Sequence, residues 1–139
     1  MLEKYEENFN RERFLKGLMT KKSINRTLAL QMCRKEIPKE SYYQDKIKKA
    51  LKKRYRGAFV RKVAQGMYSE GGTPDVMCVI EGHYFGFEVK RPLVGEVSRL
   101  QEVAIRDIEA AGGTAAIVTW PEECFKIIDR WKTGKERQE

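Results

Sequence analysis

Cysteine and histidine are scarce in this chain of 139 residues, which contains three cysteines and one histidine. Cys33, Cys78 and Cys124 are odd in number and widely separated, and no Cys-x-x-Cys pair occurs. Neither a disulfide framework nor a structural zinc site is therefore expected. A reducing, intracellular setting is the default expectation for such a chain.

Long hydrophobic runs are also missing. No segment approaches the roughly 20 apolar residues of a membrane span, and the first residues, Met1-Leu-Glu-Lys-Tyr-Glu-Glu, have no signal-peptide core. We therefore expect no membrane association. Hydrophobic residues nevertheless make up 41% of the chain, and its length fits one domain with a substantial core.

Acidic residues are missing between Asp45 and Glu70, in a chain whose formal net charge is +8. The same region contains nine basic residues, which we call the basic block: Lys46, Lys48, Lys49, Lys52, Lys53, Arg54, Arg56, Arg61 and Lys62. Such a block suits a polyanion, and we expect it to contact nucleic-acid phosphates. The alternative is a solvated helix face. Membrane binding is disfavoured because no strong Leu/Phe/Trp face accompanies the charge.

Two strand-like runs are joined at Gly82-His83. A two-residue loop with glycine first predicts a type II′ hairpin. In that register Met77 pairs with Glu88 and Asp75 pairs with Lys90. One face then holds Val76, Cys78, Ile80, Phe85, Phe87 and Val89, while the other carries Asp75, Glu88 and Lys90 at one end.

The charged end of this hairpin has the composition of a metal site. Asp75 and Glu88 offer hard oxygen ligands suited to magnesium or manganese. Lys90, on the same face, could position a water molecule or stabilise negative charge on a phosphate. The alternative is an ordinary cross-strand salt bridge between Asp75 and Lys90, which contributes little at a surface. The Gly-Gly-Thr-Pro approach and the basic block favour the metal site.

Two flanking helices offer further candidates. Glu40 points along the inward side of its helix, where a carboxylate needs water, a cation or a metal; alternatively, it favours the positive helix N-terminus. Ser98-x-x-Gln101 matches a capping box, so Gln101 serves either the helix start or the site. His83 is expected to be a turn residue far from Asp75.

Periodicity and turn signals predict the order α-β-β-β-α-β-α after an N-terminal helical arm. The predicted helices cover 38–56, 98–111 and 121–131, and the strands outside the hairpin cover 58–64 and 114–120. This order predicts an α/β fold, a mixed sheet flanked by helices. It divides the chain into an N-terminal helical extension (1–37), a main domain (38–132) and a frayed tail (133–139).

The candidate residues together resemble a known family, the VRR-NUC domains, which are virus-type replication–repair nucleases of the PD-(D/E)xK superfamily. The resemblance rests on Glu40-x-x-x-Gln44, Gly72-Thr-Pro-Asp75, Phe87-Glu88-Val-Lys90 and Gln101. It covers residues 38–120 and implies a restriction-endonuclease-like core. It implies metal binding by Asp75, Glu88 and the main-chain carbonyl of Val89, and a catalytic site of Glu40, Asp75, Glu88, Lys90 and Gln101.

The resemblance also implies a function. We expect a Mg²⁺- or Mn²⁺-dependent DNA endonuclease similar to Holliday-junction resolvases, acting on branched DNA as a homodimer in the cytoplasm of a bacterium or a phage-infected host. Paired incisions in a symmetric junction are most simply made by a two-fold dimer, since one chain has one acidic centre. The alternatives are a flap or duplex nicking nuclease, a non-catalytic nucleic-acid-binding module of the same fold, and an adaptor whose basic face binds an acidic protein.

Overall fold

The computed structural model of the chain describes residues 10–64 and 71–138. Within those ranges the elements are α1 (Arg11–Lys22), α2 (Arg26–Glu36), α3 (Glu40–Arg54), β1 (Phe59–Lys62), β2 (Val76–Ile80), β3 (His83–Val89), α4 (Arg99–Ala110), β4 (Thr114–Val118) and α5 (Pro121–Gln138). The predicted order is confirmed from α3 onward, with most boundaries within about two residues of those expected. Residues 1–9 of the predicted N-terminal extension lie outside the described residues, as do positions 65–70.

The described strands form a mixed four-stranded sheet with the order β1-β2-β3-β4. β1, β2 and β3 pair antiparallel, whereas β4 pairs parallel to β3, and α4 supplies the crossover that a parallel pair requires. α3 and α5 cover the apolar face of the sheet, and α4 packs on the opposite face against β3 and β4. The predicted mixed sheet flanked by helices is confirmed.

The hairpin register differs from the predicted one. Glu81 and Gly82 form the turn, with φ of 50° and 79°; positive φ at both positions is typical of a type I′ turn. His83 is the first residue of β3 and pairs with Ile80. The predicted turn at Gly82-His83 is therefore wrong, because the His83 ring stacks on Trp131, with 4.6 Å between ring centroids, and is drawn into the strand.

The predicted pairs Met77–Glu88 and Asp75–Lys90 are wrong for the same reason, since Met77 pairs with Gly86. The observed pairing differs from the predicted pairing by two positions along β3. Side chains alternate with period two, so a shift of two leaves every residue on its expected face. The six residues of the predicted apolar face, Val76, Cys78, Ile80, Phe85, Phe87 and Val89, are all buried.

The last helix is longer than predicted. α5 continues to Gln138, so the predicted frayed tail is wrong for residues 133–138. Glu139 lies outside the described residues. The Thr133 hydroxyl donates to the main-chain carbonyl of Asp129 one turn earlier. Lys135 Nζ lies 3.7 Å from Glu81 at the hairpin tip. The first contact lies within α5, whereas the ion pair links its last turns to the hairpin.

The helices α1 and α2 share the core of the sheet. Leu15, Ala29 and Cys33 are buried in the same cluster as the strand residues. Apolar packing thus continues across the predicted domain boundary at residue 37, and that boundary stays a prediction. None of the helices in the described ranges is long and apolar enough to cross a lipid bilayer.

All three cysteines are buried free thiols. Burial raises the pKa of Cys33 and Cys124, and it raises the pKa of Cys78 to about 11. A thiol must ionise to act as a nucleophile. These cysteines are therefore core residues rather than reactive groups.

Candidate metal centre

Three carboxylates from different parts of the fold meet at one end of the sheet. Glu40 begins α3, Asp75 immediately precedes β2, and Glu88 lies near the end of β3. One oxygen from each of these side chains lies within 4.8 Å of the others. Continuing the observed β2–β3 pairing by one position places Asp75 opposite Glu88. The Val89 amide then donates to Asp75 Oδ2 at 2.9 Å, which fixes the Asp75 side chain.

Glu88 is the most deeply placed of the three carboxylates, with 2% of its surface exposed. Its Oε1 accepts a hydrogen bond, but its buried Oε2 has no hydrogen-bond partner among the described residues. Burial, and then the nearby Asp75 carboxylate, raise the pKa of Glu88 to about 8. A buried carboxylate oxygen without a donor is costly unless a proton or a cation compensates its charge. Glu88 Oε2 therefore fits a metal ligand.

Lys90 supplies a positive charge beside the carboxylates. Its Nζ lies 3.6 Å from Glu88 Oε1 and 3.9 Å from Glu40 Oε1, and 15% of its side chain is exposed. The alternative to the metal site, a cross-strand ion pair between Asp75 and Lys90, does not form among the described residues, because the observed register places Asp75 opposite Glu88. Burial, and then Asp75, raise the pKa of Glu40, while Lys90 acts in the opposite direction. The Arg91 charge also lowers the pKa of Glu40, but the three clustered carboxylates still outnumber these two cations, which leaves an acidic centre that suits a divalent cation.

Gln101 serves the helix start and the acidic centre at the same time. Its Oε1 accepts from the Ser98 amide at 2.9 Å, and the Ser98 hydroxyl accepts from the Gln101 amide at 3.2 Å, which completes a capping box. The other end of the same side chain donates from Nε2 to Glu88 Oε1 at 2.7 Å. The sequence presents these roles as alternatives, whereas the structure combines them.

The segment before β2 lies directly on the start of α4. Gly72 has φ of 90°, and a Cβ at this position would lie 2.2 Å from the main-chain oxygen of Leu100. Pro74 packs closely against β3 at Gly86. A Cβ atom at position 86 would lie 2.9 Å from Pro74 Cγ. Glycine at 72 and 86 therefore lets the chain approach closely enough to deliver Asp75. The conformational role of Gly72 was not identified from the sequence, although the Gly71-Gly72 pair signals it.

The basic block extends away from the acidic centre along α3 and onto β1. At ~1.5 Å per residue, the lysines of the block that belong to α3 lie between roughly 9 and 20 Å from Glu40 along the helix axis. Two of its members form ion pairs with described residues, since Arg54 pairs with Asp129 at 2.8 Å and Lys62 with Asp45 at 3.2 Å. The exposed members that form no ion pair with any described residue are Lys49, Lys52, Lys53, Arg56 and Arg61.

His83 and Val89 differ in their relation to the acidic centre. His83 lies away from the carboxylates, and its Nε2 is 2.8 Å from the hydroxyl of Thr114. It packs between strands and α5 rather than serving the centre. Val89 follows Glu88 directly at the end of β3, and metal binding by its main-chain carbonyl stays a prediction.

The chain is similar to a solved structure of a known domain. No family model matches the chain, and no curated protein matches it. Among solved structures, a chain described as a VRR_NUC domain is similar at 22% sequence identity and a TM-score of 0.49, over 63% of this chain and 95% of that one. This description coincides with the family that the motifs resemble. At this identity and TM-score the likeness carries no functional conclusion.

Proposed function

We propose that the protein is a metal-dependent endonuclease that hydrolyses phosphodiester bonds in DNA. The observation that carries this proposal is the cluster of Glu40, Asp75 and Glu88 carboxylates with the Lys90 ammonium beside them. Oxygen ligands of this kind suit Mg²⁺ first, with Mn²⁺ as a substitute. Asp75, Glu88 and the main-chain carbonyl of Val89 would hold the ion.

The side chains around the ligands have separable tasks. A bound divalent ion would polarise a phosphate oxygen and lower the pKa of water. Lys90 places a positive charge where negative charge develops on the phosphate, or orients the attacking water. Gln101 holds the Glu88 carboxylate in one orientation through its 2.7 Å hydrogen bond. Glu40, with 41% of its side chain exposed, completes the acidic site on its solvent side.

The substrate we propose is branched DNA, in particular a four-way junction. The exposed lysines of the basic block would contact phosphates, and phosphate contacts fix position without reading bases. Recognition would then depend on the shape of the DNA. The described residues of one chain provide one such acidic cluster, so two symmetric incisions call for a homodimer.

The experiment that tests this function is a cleavage assay on a four-way junction with Mg²⁺, with Mn²⁺ and with a chelator. We expect cleavage with either ion and none with the chelator. Asp75→Asn and Glu88→Gln should abolish cleavage and leave junction binding largely intact, whereas Glu109→Gln, an exposed carboxylate on α4, should retain cleavage. Substantial Mg²⁺-dependent cutting by Asp75→Asn would contradict the proposal.

The same assay distinguishes the proposed junction nuclease from the alternative functions. Faster cleavage of a flap or a linear duplex than of the junction would identify a nicking nuclease with the same centre. Junction binding without cleavage under any ion would identify a non-catalytic module. Analytical ultracentrifugation of the free protein and of the junction complex tests the proposed homodimer, since a monomer in both states would contradict it.

A further inference from the structure

The guanidinium of Arg91 donates to three main-chain carbonyls at the junction between α2 and α3. Its Nη2 donates to the Arg34 and Ile37 oxygens at 2.7 Å each, and its Nε donates to the Pro38 oxygen at 2.9 Å. The last carbonyls of a helix lack intrahelical donors. A rigid guanidinium fork with several donors can satisfy them together, which a lysine cannot. One side chain from the end of β3 thus holds the junction.

This junction leads directly into the acidic centre. Pro38 is followed two residues later by Glu40, the first residue of α3 and one of the three clustered carboxylates. Lys39, the N-cap residue of α3, makes no side-chain capping hydrogen bond. The Arg91 contacts therefore anchor the segment that leads into α3, where no side-chain cap is present.

The main chain that carries Arg91 is itself held by a tight turn. After Arg91 the chain turns sharply at Leu93, a buried residue with φ of 66°. The Gly95 amide donates back to the Arg91 carbonyl at 3.2 Å, and a Cβ at Gly95 would lie 2.7 Å from Lys90 Cβ. This tight turn fixes the main chain of Lys90 and Arg91 together, so the ammonium of the centre and the guanidinium at the junction share one rigid segment.

We propose that Arg91 is a positioning residue that places Glu40 in the carboxylate cluster by clamping the α2–α3 junction to the end of β3. The N-terminal helices thereby act on the acidic centre, which gives residues of the 1–37 region a role in it. The link to metal binding rests on the function proposed above. The clamp itself does not, and it can be measured without metal or DNA.

Hydrogen exchange of the metal-free protein tests the clamp directly. We expect Arg91→Ala and the milder Arg91→Lys to exchange faster than the parent protein in segment 36–44 and equally in α5. The control is Arg99→Ala, because Arg99 is an exposed arginine whose one ion pair among the described residues is with Glu102 on its own helix. Unchanged protection of segment 36–44 in folded Arg91→Lys would overturn the proposal.

Calorimetric titration with Mn²⁺ tests the consequence for Glu40. Residues that position the groups around a metal ion typically change affinity by about tenfold or more when replaced. Because Glu40 completes the carboxylate cluster beside the proposed ligands, we expect that loss in Arg91→Ala. Because Arg91 is proposed to act through Glu40, the double variant Arg91→Ala/Glu40→Gln should bind no more weakly than Glu40→Gln alone. Losses that multiply in the double variant would overturn the proposal.

Two further outcomes separate the possible causes. Arg91→Lys keeps the positive charge near Glu40 but loses the three-carbonyl geometry, so we expect its Mn²⁺ affinity to resemble that of Arg91→Ala. Parent-like affinity in Arg91→Lys would show that charge alone matters and would overturn the clamp. Absence of Mn²⁺ binding by the parent protein would defeat the proposed nuclease function, while the exchange measurement would still decide the clamp.

Discussion

At the scale of single residues, the amide of Gln101 is the most informative contact of the centre. Its oxygen belongs to the capping box of α4 and its nitrogen to Glu88. Both roles together need an acceptor and a donor on the same side chain, which neither a carboxylate nor an ammonium provides. A carboxamide at this position therefore satisfies a helix terminus and orients a buried carboxylate with one side chain.

Two substitutions separate these roles. Gln101→Glu keeps an acceptor for the Ser98 amide but presents a second carboxylate to Glu88, so we expect cleavage to fall by about tenfold or more with little loss of stability. Ser98→Ala removes half of the cap, and we expect a loss of about 1 kcal/mol in the free energy of unfolding with cleavage retained. Thermal unfolding and cleavage rates measure both, and the reverse pattern would contradict the assignment.

His83 predicts a pH dependence of stability. Burial, and then the Lys135 charge, lower the pKa of His83 below its ordinary 6.5. The unfolded chain then binds a proton more readily than the folded protein, so stability present above pH 6.5 is lost as pH falls through the lowered pKa. We expect the thermal midpoint to fall more in the parent than in His83→Gln between about pH 7.5 and pH 5. Equal decreases in both proteins would contradict this reading.

At the scale of elements, alternation predicts faces but not register. The apolar and charged faces of the β2–β3 hairpin follow from period two, and they survive the shift that moved the turn to Glu81-Gly82. A left-handed conformation at Glu81 cannot be read from a sequence, because few residues other than glycine adopt it and each needs a tertiary reason. Here the reason is the contact of His83 with α5.

The acidic centre is likewise only partly predictable from the sequence. Its residue types and their convergence are predictable, since Glu40, Asp75 and Glu88 belong to recognisable elements that the structure brings together. The partners of Lys90 are not, because they depend on the hairpin register. The Arg91 contacts are not predictable either, since no local pattern links β3 to a helix terminus more than 50 residues earlier.

The close approach at Gly72 makes a prediction for the loop before β2. Gly72→Ala would bring a Cβ against the Leu100 main chain, and Gly112→Ala is the matched control, since Gly112 has φ of 96° and nothing within 4 Å. We expect about 1 kcal/mol of backbone strain in each variant, with a further loss of stability and a loss of cleavage only in Gly72→Ala. Equal unfolding free energies and equal cleavage rates would contradict the close approach.

At the scale of the whole molecule, charge is segregated along α3. The helix begins in the acidic centre with Glu40 and ends in the exposed lysines of the basic block. A phosphate backbone that contacts these lysines would therefore meet the same helix that supplies Glu40 to the acidic centre.

A triple substitution tests this arrangement. We expect Lys49→Gln/Lys52→Gln/Lys53→Gln to weaken junction binding and to reduce the slope of log affinity against log salt by roughly 0.9 per lost phosphate contact. The matched control removes three exposed lysines from α1, at positions 16, 21 and 22. Fluorescence anisotropy over a range of salt concentrations measures both variants, and equal losses would show that total charge rather than its placement is responsible.

The buried thiols have a practical consequence for such measurements. Cys33, Cys78 and Cys124 are shielded from solvent, and burial raises the pKa of each. A maleimide dye reacts with accessible thiolates, so it should not label the three native cysteines of the folded protein. A single cysteine introduced on the outer surface of α4 would carry a fluorophore at one known position, and distances to labelled DNA could be followed without replacing any native residue.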